Sequence, residues 1–171
     1  MKKIFILITF LTSFNSLLIG QTFDGVAVSG NYLEVVKKFK AKKYKQTYES
    51  EGSVHLKGKN LDKEISLLIM YTPKSKQAYS FTVIFEELGN EILLESEYDS
   101  FKAIFNEKYG EPSLNEKDYK IYKYFSIWEK ETYRVTLAAK KEKNQILIGY
   151  YNLLNENLNE IEKKQLMSKT Y

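Results

Sequence analysis

The chain has 171 residues, of which 43% are hydrophobic and 28% are charged, a composition typical of one soluble globular domain. Its net charge is only +4, and removal of the two lysines in the first 20 residues leaves about +2, too little to indicate nucleic-acid binding. With no Cys and one His, the chain cannot carry a disulfide framework, a lipid on a cysteine, a zinc finger or a metal site of two histidines.

Residues 1–20 have the pattern of a signal peptide. Lys2 and Lys3 form a basic start, residues 4–11 are largely apolar, and Gly20 precedes Gln21 at the predicted cleavage site. An uncleaved membrane anchor is the alternative, but four polar residues between positions 12 and 16 break the apolar run below the length of a membrane span. We therefore predict an exported protein, periplasmic or secreted, with no membrane span after cleavage.

The first half of the remaining chain predicts a short strand, a helix and then further strands. A glycine-bounded segment at 23–30 leads to a helix ending near Lys42, with Ser29 or Asn31 available to cap it. An inward stripe is predicted from Tyr32, Val35, Val36 and Phe39. Alternation of apolar and polar residues then predicts strands at 45–50, 53–57, 64–72 and 79–85.

The second half repeats this order. Tyr98, Phe101 and Phe105 recur at helical spacing, and Gly110 and Pro112 end the helix. After a polar connection, alternation predicts strands at 119–128, 133–139 and 145–151. Residues 155–168 are predicted to form a C-terminal helix with Leu154, Leu158, Ile161 and Gln165 or Leu166 on one stripe.

This order predicts a single α+β domain over residues 21–171. Neighbouring strands joined by short turns favour an antiparallel sheet with helices packed on one face. We interpret the domain as two tandem helix-plus-three-strand units, with pseudo-repeat 1 at about 24–90, pseudo-repeat 2 at about 91–154 and the C-terminal helix after them.

Few residues of the sequence indicate catalysis. His55 lies in a short strand and no nucleophile elbow is present to serve it. Two carboxylate pairs could in principle serve acid–base catalysis. Glu86 and Glu87 are adjacent in a strand and point to opposite faces, so they do not share one site. Glu95 and Glu97 are explained by the preference for negative charge at the start of a helix. We predict no catalytic, cofactor-binding or metal-binding residue. The lysine-rich run at 37–45 is interpreted as the solvated face and last turn of a helix.

One candidate binding surface remains, formed by Tyr122, Tyr124 and Trp128 on one face of a predicted strand. If the opposite face, with Ile121, Phe125 and Ile127, packs on the helices, these rings look outward. Tyr and Trp are the residues that contribute most binding energy at protein interfaces. The alternative is that the rings form cross-strand pairs that only stabilise the sheet.

The chain resembles a group of small secreted proteins of unknown function from Gram-negative bacteria. The resemblance lies in Gln21 after the signal, the segment from Gly25 to Gly30, and a helix closing on Lys108-Tyr109-Gly110-Glu111-Pro112. Lys43 departs from the pattern, because the group usually has Gly before the aromatic residue. The plan is also similar to β-lactamase inhibitor proteins and to small outer-membrane assembly lipoproteins, which use such sheets to bind proteins; this is a likeness of architecture.

Three hypotheses on function follow. The first is an exported, non-catalytic module that binds an envelope or secreted protein through its aromatic sheet face. The second is a small exported hydrolase that uses carboxylates alone. The third is a structural subunit of an envelope complex, docked through the apolar stripe of the C-terminal helix.

Overall fold

The computed structural model describes residues 21–168 other than Leu61 and Glu87. The predicted signal peptide therefore lies outside the described residues. Three helices and ten strands follow one another in this order: β1 (Thr22–Phe23), β2 (Val26–Ala27), α1 (Tyr32–Ala41), β3 (Lys45–Ser50), β4 (Ser53–Asn60), β5 (Lys63–Tyr71), β6 (Ala78–Phe85), α2 (Glu91–Tyr109), β7 (Leu114–Lys117), β8 (Tyr122–Glu129), β9 (Tyr133–Lys140), β10 (Gln145–Asn152) and α3 (Leu153–Met167). None of the helices in this part of the chain is long and apolar enough to cross a membrane.

Eight strands form one antiparallel sheet in the order β3-β4-β5-β6-β10-β9-β8-β7. The strands after α1 fill one half of the sheet and those after α2 fill the other half. The halves meet where β6 pairs with β10, with Val83 opposite Ile148. β3 and β7 are the two edge strands. The short strands β1 and β2 pair only with each other.

Helices α1 and α2 pack on the same face of the sheet, which we call the covered face. Phe39 of α1 contacts Phe81 of β6, with ring centroids 5.4 Å apart, and Phe101 of α2 contacts Phe85 at 5.1 Å. The inward stripes predicted for both helices are confirmed, since Val35, Phe39, Tyr98 and Phe105 are all buried. This interface holds the hydrophobic core.

The C-terminal helix α3 departs from the predicted single-face arrangement. It contacts the ends of central strands and side chains on the other face, where Glu156 pairs with Arg134 at 3.7 Å. Its buried residues are the polar Asn159 and Glu162, whereas Leu154 and Ile161 are 63% and 53% exposed. Hydrogen bonds rather than apolar packing therefore fix this helix.

The predicted α+β class and antiparallel sheet are confirmed. Four strands follow α1, as the alternation predicts, and four rather than three follow α2, because the predicted polar connection forms β7, which pairs with β8 through its backbone. That the halves are copies of one unit stays a prediction. At the end of α1, Lys43 has φ +70°, and α2 ends at Gly110 with φ +83°. Lys43 thus adopts the left-handed conformation that glycine adopts more easily.

Candidate protein-binding site

Two of the three predicted binding residues lie in the core. Trp128 is 1% exposed and Tyr124 is 9% exposed. Both face α2, where the Trp128 ring meets Phe105 edge-on at 5.4 Å and the Tyr124 ring contacts Tyr98 at 5.1 Å. The Trp128 Nε1–H donates a 2.9 Å hydrogen bond to the carbonyl of Gly110 and so joins β8 to the end of α2.

The expectation that these rings look outward is therefore wrong for Tyr124 and Trp128. Ser126, which lies between them, is also buried, and its Oγ lies 2.7 Å from the hydroxyl of Tyr98. The Tyr124 hydroxyl donates a 2.6 Å hydrogen bond to Glu95, and this bond, ahead of burial, raises the tyrosine pKa. The polar atoms of this strand face are satisfied within the fold, so they fix α2 on the sheet.

Tyr122, unlike Tyr124 and Trp128, lies outside the core. A bulge between Tyr122 and Tyr124 inserts an extra residue, which breaks the simple alternation of the strand. Tyr122 therefore pairs with Lys140 and stacks on Phe125, with centroids 5.4 Å apart and planes at 13°. Tyr119 also stacks on Phe125, with ring centroids 5.1 Å apart and planes at 12°. Three half-buried rings thus form a stack on the face opposite α2.

The face opposite α1 and α2, which we call the open face, carries a continuous apolar row across four central strands. Phe125 of β8 is opposite Ala138 of β9, Ala138 is opposite Leu147 of β10, and Leu147 is opposite Ile84 of β6. Of these four, only Ala138 is buried; the three larger side chains are half-buried. Since cross-strand neighbours have Cβ atoms about 5 Å apart, these side chains form one contiguous surface.

A second row runs parallel to the first. Ile127 is opposite Thr136, followed by Gly149, Thr82 and Leu68 on successive strands. It alternates apolar groups with hydroxyls, a mixture that suits an interface with both packing and hydrogen bonds. The two rows together define the candidate site: a patch around Phe125, Ile127, Leu147, Ile84 and Leu68, which α1 and α2 do not cover.

The sequence contains a signal that would have placed β8 correctly. Strand β9 alternates apolar residues at Val135, Leu137 and Ala139 with Arg134 and Thr136. In an antiparallel hairpin with an even-numbered turn, Trp128 must share the face of Val135, and the observed register places the two opposite each other. The clean pattern of β9 thus determines the face of β8, whose own pattern is apolar on both sides.

The structure does not bring the other candidate residues together into one site. His55 is half-buried on the open face and meets the exposed Tyr48 ring at 5.7 Å. Glu86 accepts a hydrogen bond from Ser66, while Glu87 lies outside the described residues. Glu97 pairs with Lys63, away from the partner of Glu95. Among the described residues, no group of three or more His, Asp or Glu side chains is arranged to hold a metal ion.

By its fold, this is an α+β protein with a two-helix layer on one face of an eight-stranded antiparallel sheet and an apolar patch on the other. The chain matches no protein-family model, no curated protein and no solved structure. The resemblance to small secreted proteins stays a prediction.

Proposed function

We propose that this chain is an exported, non-catalytic module that binds another protein through the open face of its sheet. The observation that supports the proposal is the uncovered apolar row of Phe125, Leu147 and Ile84, extended by Ile127 and Leu68 in the next row. Monomeric soluble proteins rarely expose large contiguous apolar patches, and those that do use them mostly for association. Unlike Tyr124 and Trp128, this surface is available without unfolding α2.

The margins of the patch are polar, as in most protein interfaces. At one side Lys57 lies 3.9 Å from Glu86, and at the other Arg134 is paired with Glu129. The stack of Tyr119, Phe125 and Tyr122 contributes rigid rings that lose little entropy when a partner packs on them. These features support a folded protein partner rather than a small molecule, because the patch is a broad surface.

Export is part of the proposal and is supported by the pattern of residues 1–20. The fold proper is anchored at Gln21, which is buried and accepts a 2.8 Å hydrogen bond from the Tyr109 hydroxyl through its side chain. Val28 also donates to the Gln21 carbonyl. Cleavage before Gln21 would therefore leave these contacts intact.

The test is affinity capture from envelope and culture-medium extracts with protein from Gln21 onward. A triple variant, Phe125→Ser, Ile127→Ser and Leu147→Ser, should lose a partner that the native protein retains, because it makes the patch polar. The matched control is Ile92→Ser with Ile104→Ser, which removes apolar side chains that are 79% and 55% exposed on α2. The control should retain the partner, and all three proteins must show the same thermal melting.

Equal capture by the native protein and the triple variant would contradict the use of the open face. Loss by the α2 control alone would move the binding site to the helix layer. If extracts yield no partner, screening of peptidoglycan and glycan substrates, with single Glu→Gln variants as controls, tests the carboxylate hydrolase alternative.

A second candidate function has one specific observation in its favour. On α3, Leu154 and Ile161 are exposed while Asn159 and Glu162 face the fold, so the helix presents apolar residues outward. This arrangement suits a structural subunit that docks through α3. In that case the double variant Leu154→Ser with Ile161→Ser, and not the open-face variant, should release the neighbouring protein.

A further inference from the structure

A second surface lies far from the open-face patch, at the edge of the sheet formed by β3. A groove of about 280 Å³ runs between α1 and β3. Its apolar part comes from Leu33, which is 59% exposed, and from Val36. Lys37 and Lys40 line it from the helix side, and Gln46 and Glu49 from the strand side.

The strand beside this groove has a free edge. Among the described residues, β3 pairs only with β4, so every second residue along it points its N–H and C=O away from the sheet. Such an edge is a template for one more strand, and binding by strand addition is a common mode of peptide recognition. Alternate side chains of an added strand would lie on the groove side, next to Leu33 and Val36.

The segment from α1 to the start of β3 is rich in lysine, and Lys37 and Lys40 of this segment line the groove. Residues 37–45 include six lysines, and all six are exposed: Lys37, Lys38, Lys40, Lys42, Lys43 and Lys45. Within the part of the chain that the structure describes, only Lys42 of these six pairs with a carboxylate, that of Asp24 at 3.3 Å. Lys45 is directly opposite Lys57 across β3 and β4, where Glu86, 3.9 Å from Lys57, offsets part of the like charge.

One carboxylate faces the groove, but its charge is partly satisfied. Glu49 accepts hydrogen bonds from the Tyr32 hydroxyl at 3.1 Å and from Gln46 Nε2 at 2.7 Å. Lysines on and beside an edge strand also protect it against pairing with another copy of the same chain. A strand that carries carboxylates is attracted by the same lysines.

We propose that the β3 edge and the groove beside it bind an extended acidic segment of another protein, which joins the sheet as a ninth strand. Its backbone pairs with β3, apolar and acidic side chains on its groove side contact Leu33 and pair with Lys37 and Lys40, and a carboxylate on its other side pairs with Lys45. This surface is separate from the open-face patch, so a failure of one proposal does not contradict the other.

The experiment uses protein from Gln21 onward and a fluorescein-labelled octapeptide of the repeat Glu-Glu-Val-Val, which presents both residue types on each face of a strand. Binding is measured by fluorescence anisotropy. Two control peptides have lysine in place of glutamate, or N-methyl groups on alternate amides so that the backbone cannot pair. We expect binding of the acidic peptide that weakens with salt, and no binding of either control.

Two variants locate the site. Lys37→Glu with Lys40→Glu should weaken binding of the acidic peptide by roughly tenfold, because two attractive contacts become repulsive. Lys163→Glu with Lys164→Glu makes the same charge change on α3 and should leave the affinity within about twofold. Both pairs are exposed, and circular dichroism before the titration confirms that each variant is folded.

The other outcomes overturn the proposal. Binding of the N-methylated peptide as tight as that of its parent would mean charge attraction without strand addition. An equal loss in the α3 variant would mean that the site is elsewhere or diffuse. Absence of binding by the acidic peptide at low salt, or concentration-dependent self-association that Lys37→Glu with Lys40→Glu enhances, would leave edge protection as the role of these lysines.

Discussion

Ile127 and Trp128 are neighbours in β8, yet their surroundings differ completely. Trp128 is 1% exposed, contacts Phe105 and donates a hydrogen bond to Gly110. Ile127 is half-buried on the open face, beside Thr136 of the next strand. The same contrast holds across the sheet, because α1 and α2 cover one face with apolar packing whereas α3 reaches the other side with polar contacts.

The comparison shows which face stabilises the domain and which is free to associate. Burial of apolar area contributes roughly 25 cal/mol per Å², so the covered face supplies most of the stability. On the open face the rings and aliphatic chains already contact each other, but part of their area stays in water. That remaining area is the free energy available to a partner, and mutations on the two faces should therefore have different consequences.

The largest expected effect is on the covered face. Trp128→Ala should lower the free energy of unfolding by about 3–5 kcal/mol, because it leaves a cavity against Phe105 and removes the hydrogen bond to Gly110. Ile127→Ala should cost only about 1 kcal/mol, since part of that side chain is already solvated. Urea denaturation followed by circular dichroism measures both. Similar losses for the two variants would contradict the assignment of faces.

The next effect compares a glycine on each face. A Cβ added at Gly58 would lie 2.5 Å from Cδ1 of Tyr44, a ring that is 2% exposed. At Gly149 the added Cβ meets Thr136 Oγ1 at 2.5 Å and the outer end of the half-buried Tyr151 side chain at 2.6 Å, and these are side-chain ends rather than the base of a fully buried ring. Gly58→Ala should therefore cost about 2–3 kcal/mol and Gly149→Ala about 1 kcal/mol or less, against the small gain from stiffening the unfolded chain.

Thermal melting of the two alanine variants checks this order. Lys59→Ala is the control for Gly58→Ala, since it changes an exposed residue of the same strand. A Gly149→Ala variant less stable than Gly58→Ala would mean that the open face is packed as rigidly as the covered face.

Much of this architecture follows from periodicity, and the exceptions have identifiable causes. The stripe of Tyr98 and Phe105 defines α2, and the alternation of β9 defines its two faces. β7 could not be predicted, because Leu114–Lys117 has no apolar alternation and is held by its backbone pairing with β8. The even-numbered turn between β8 and β9 is enough to place Trp128 opposite Val135, and therefore on the covered face and not on an outward face.

The inward face of α3 could not be predicted for a different reason. Asn159 and Glu162 are polar, and helical periodicity assigns such residues to solvent. Glu162 is buried only because the backbone N–H groups of Lys74 and Ser75 meet its carboxylate at 2.6 Å and 3.1 Å. Those partners are about 88 residues earlier in the chain, so only the fold reveals them.

This polar attachment predicts a pH dependence that the apolar packing of α2 lacks. Burial by itself raises the pKa of Glu162, but the hydrogen bonds from Ser75 and Lys74 outweigh it and hold the pKa below the ordinary 4.5. A carboxylate with a depressed folded pKa contributes stability above its unfolded pKa and loses it as the pH falls through the folded value. The contribution should be complete at pH 6–7 and decline below about pH 4.5.

Glu162→Gln should therefore be less stable than the native protein by about 1–2 kcal/mol at pH 7, with the difference shrinking below pH 4.5. Urea midpoints of both proteins at pH 7 and pH 4 measure it, because other carboxylates titrate equally in both and cancel. Glu160→Gln, at an exposed position of α3, is the matched control. A difference that is constant with pH would show that Glu162 acts through its shape and not its charge.

The smallest expected effect is a gain in stability at the end of α1, which we compare with a loss at the end of α2. Lys43 and Gly110 both have positive φ, +70° and +83°, but only Gly110 adopts this conformation without a Cβ penalty. Lys43→Gly should therefore raise the free energy of unfolding by up to about 1 kcal/mol, as relief of strain exceeds the added freedom of the unfolded chain. Gly110→Ala should lower it by about 1–2 kcal/mol. Urea denaturation measures both changes in the free energy of unfolding. A Cβ at Gly110 would have no neighbour within 4 Å, so a loss of stability in Gly110→Ala reports backbone strain alone. A destabilised Lys43→Gly would mean that the lysine side chain itself supports α1, through contacts that outweigh its strained backbone.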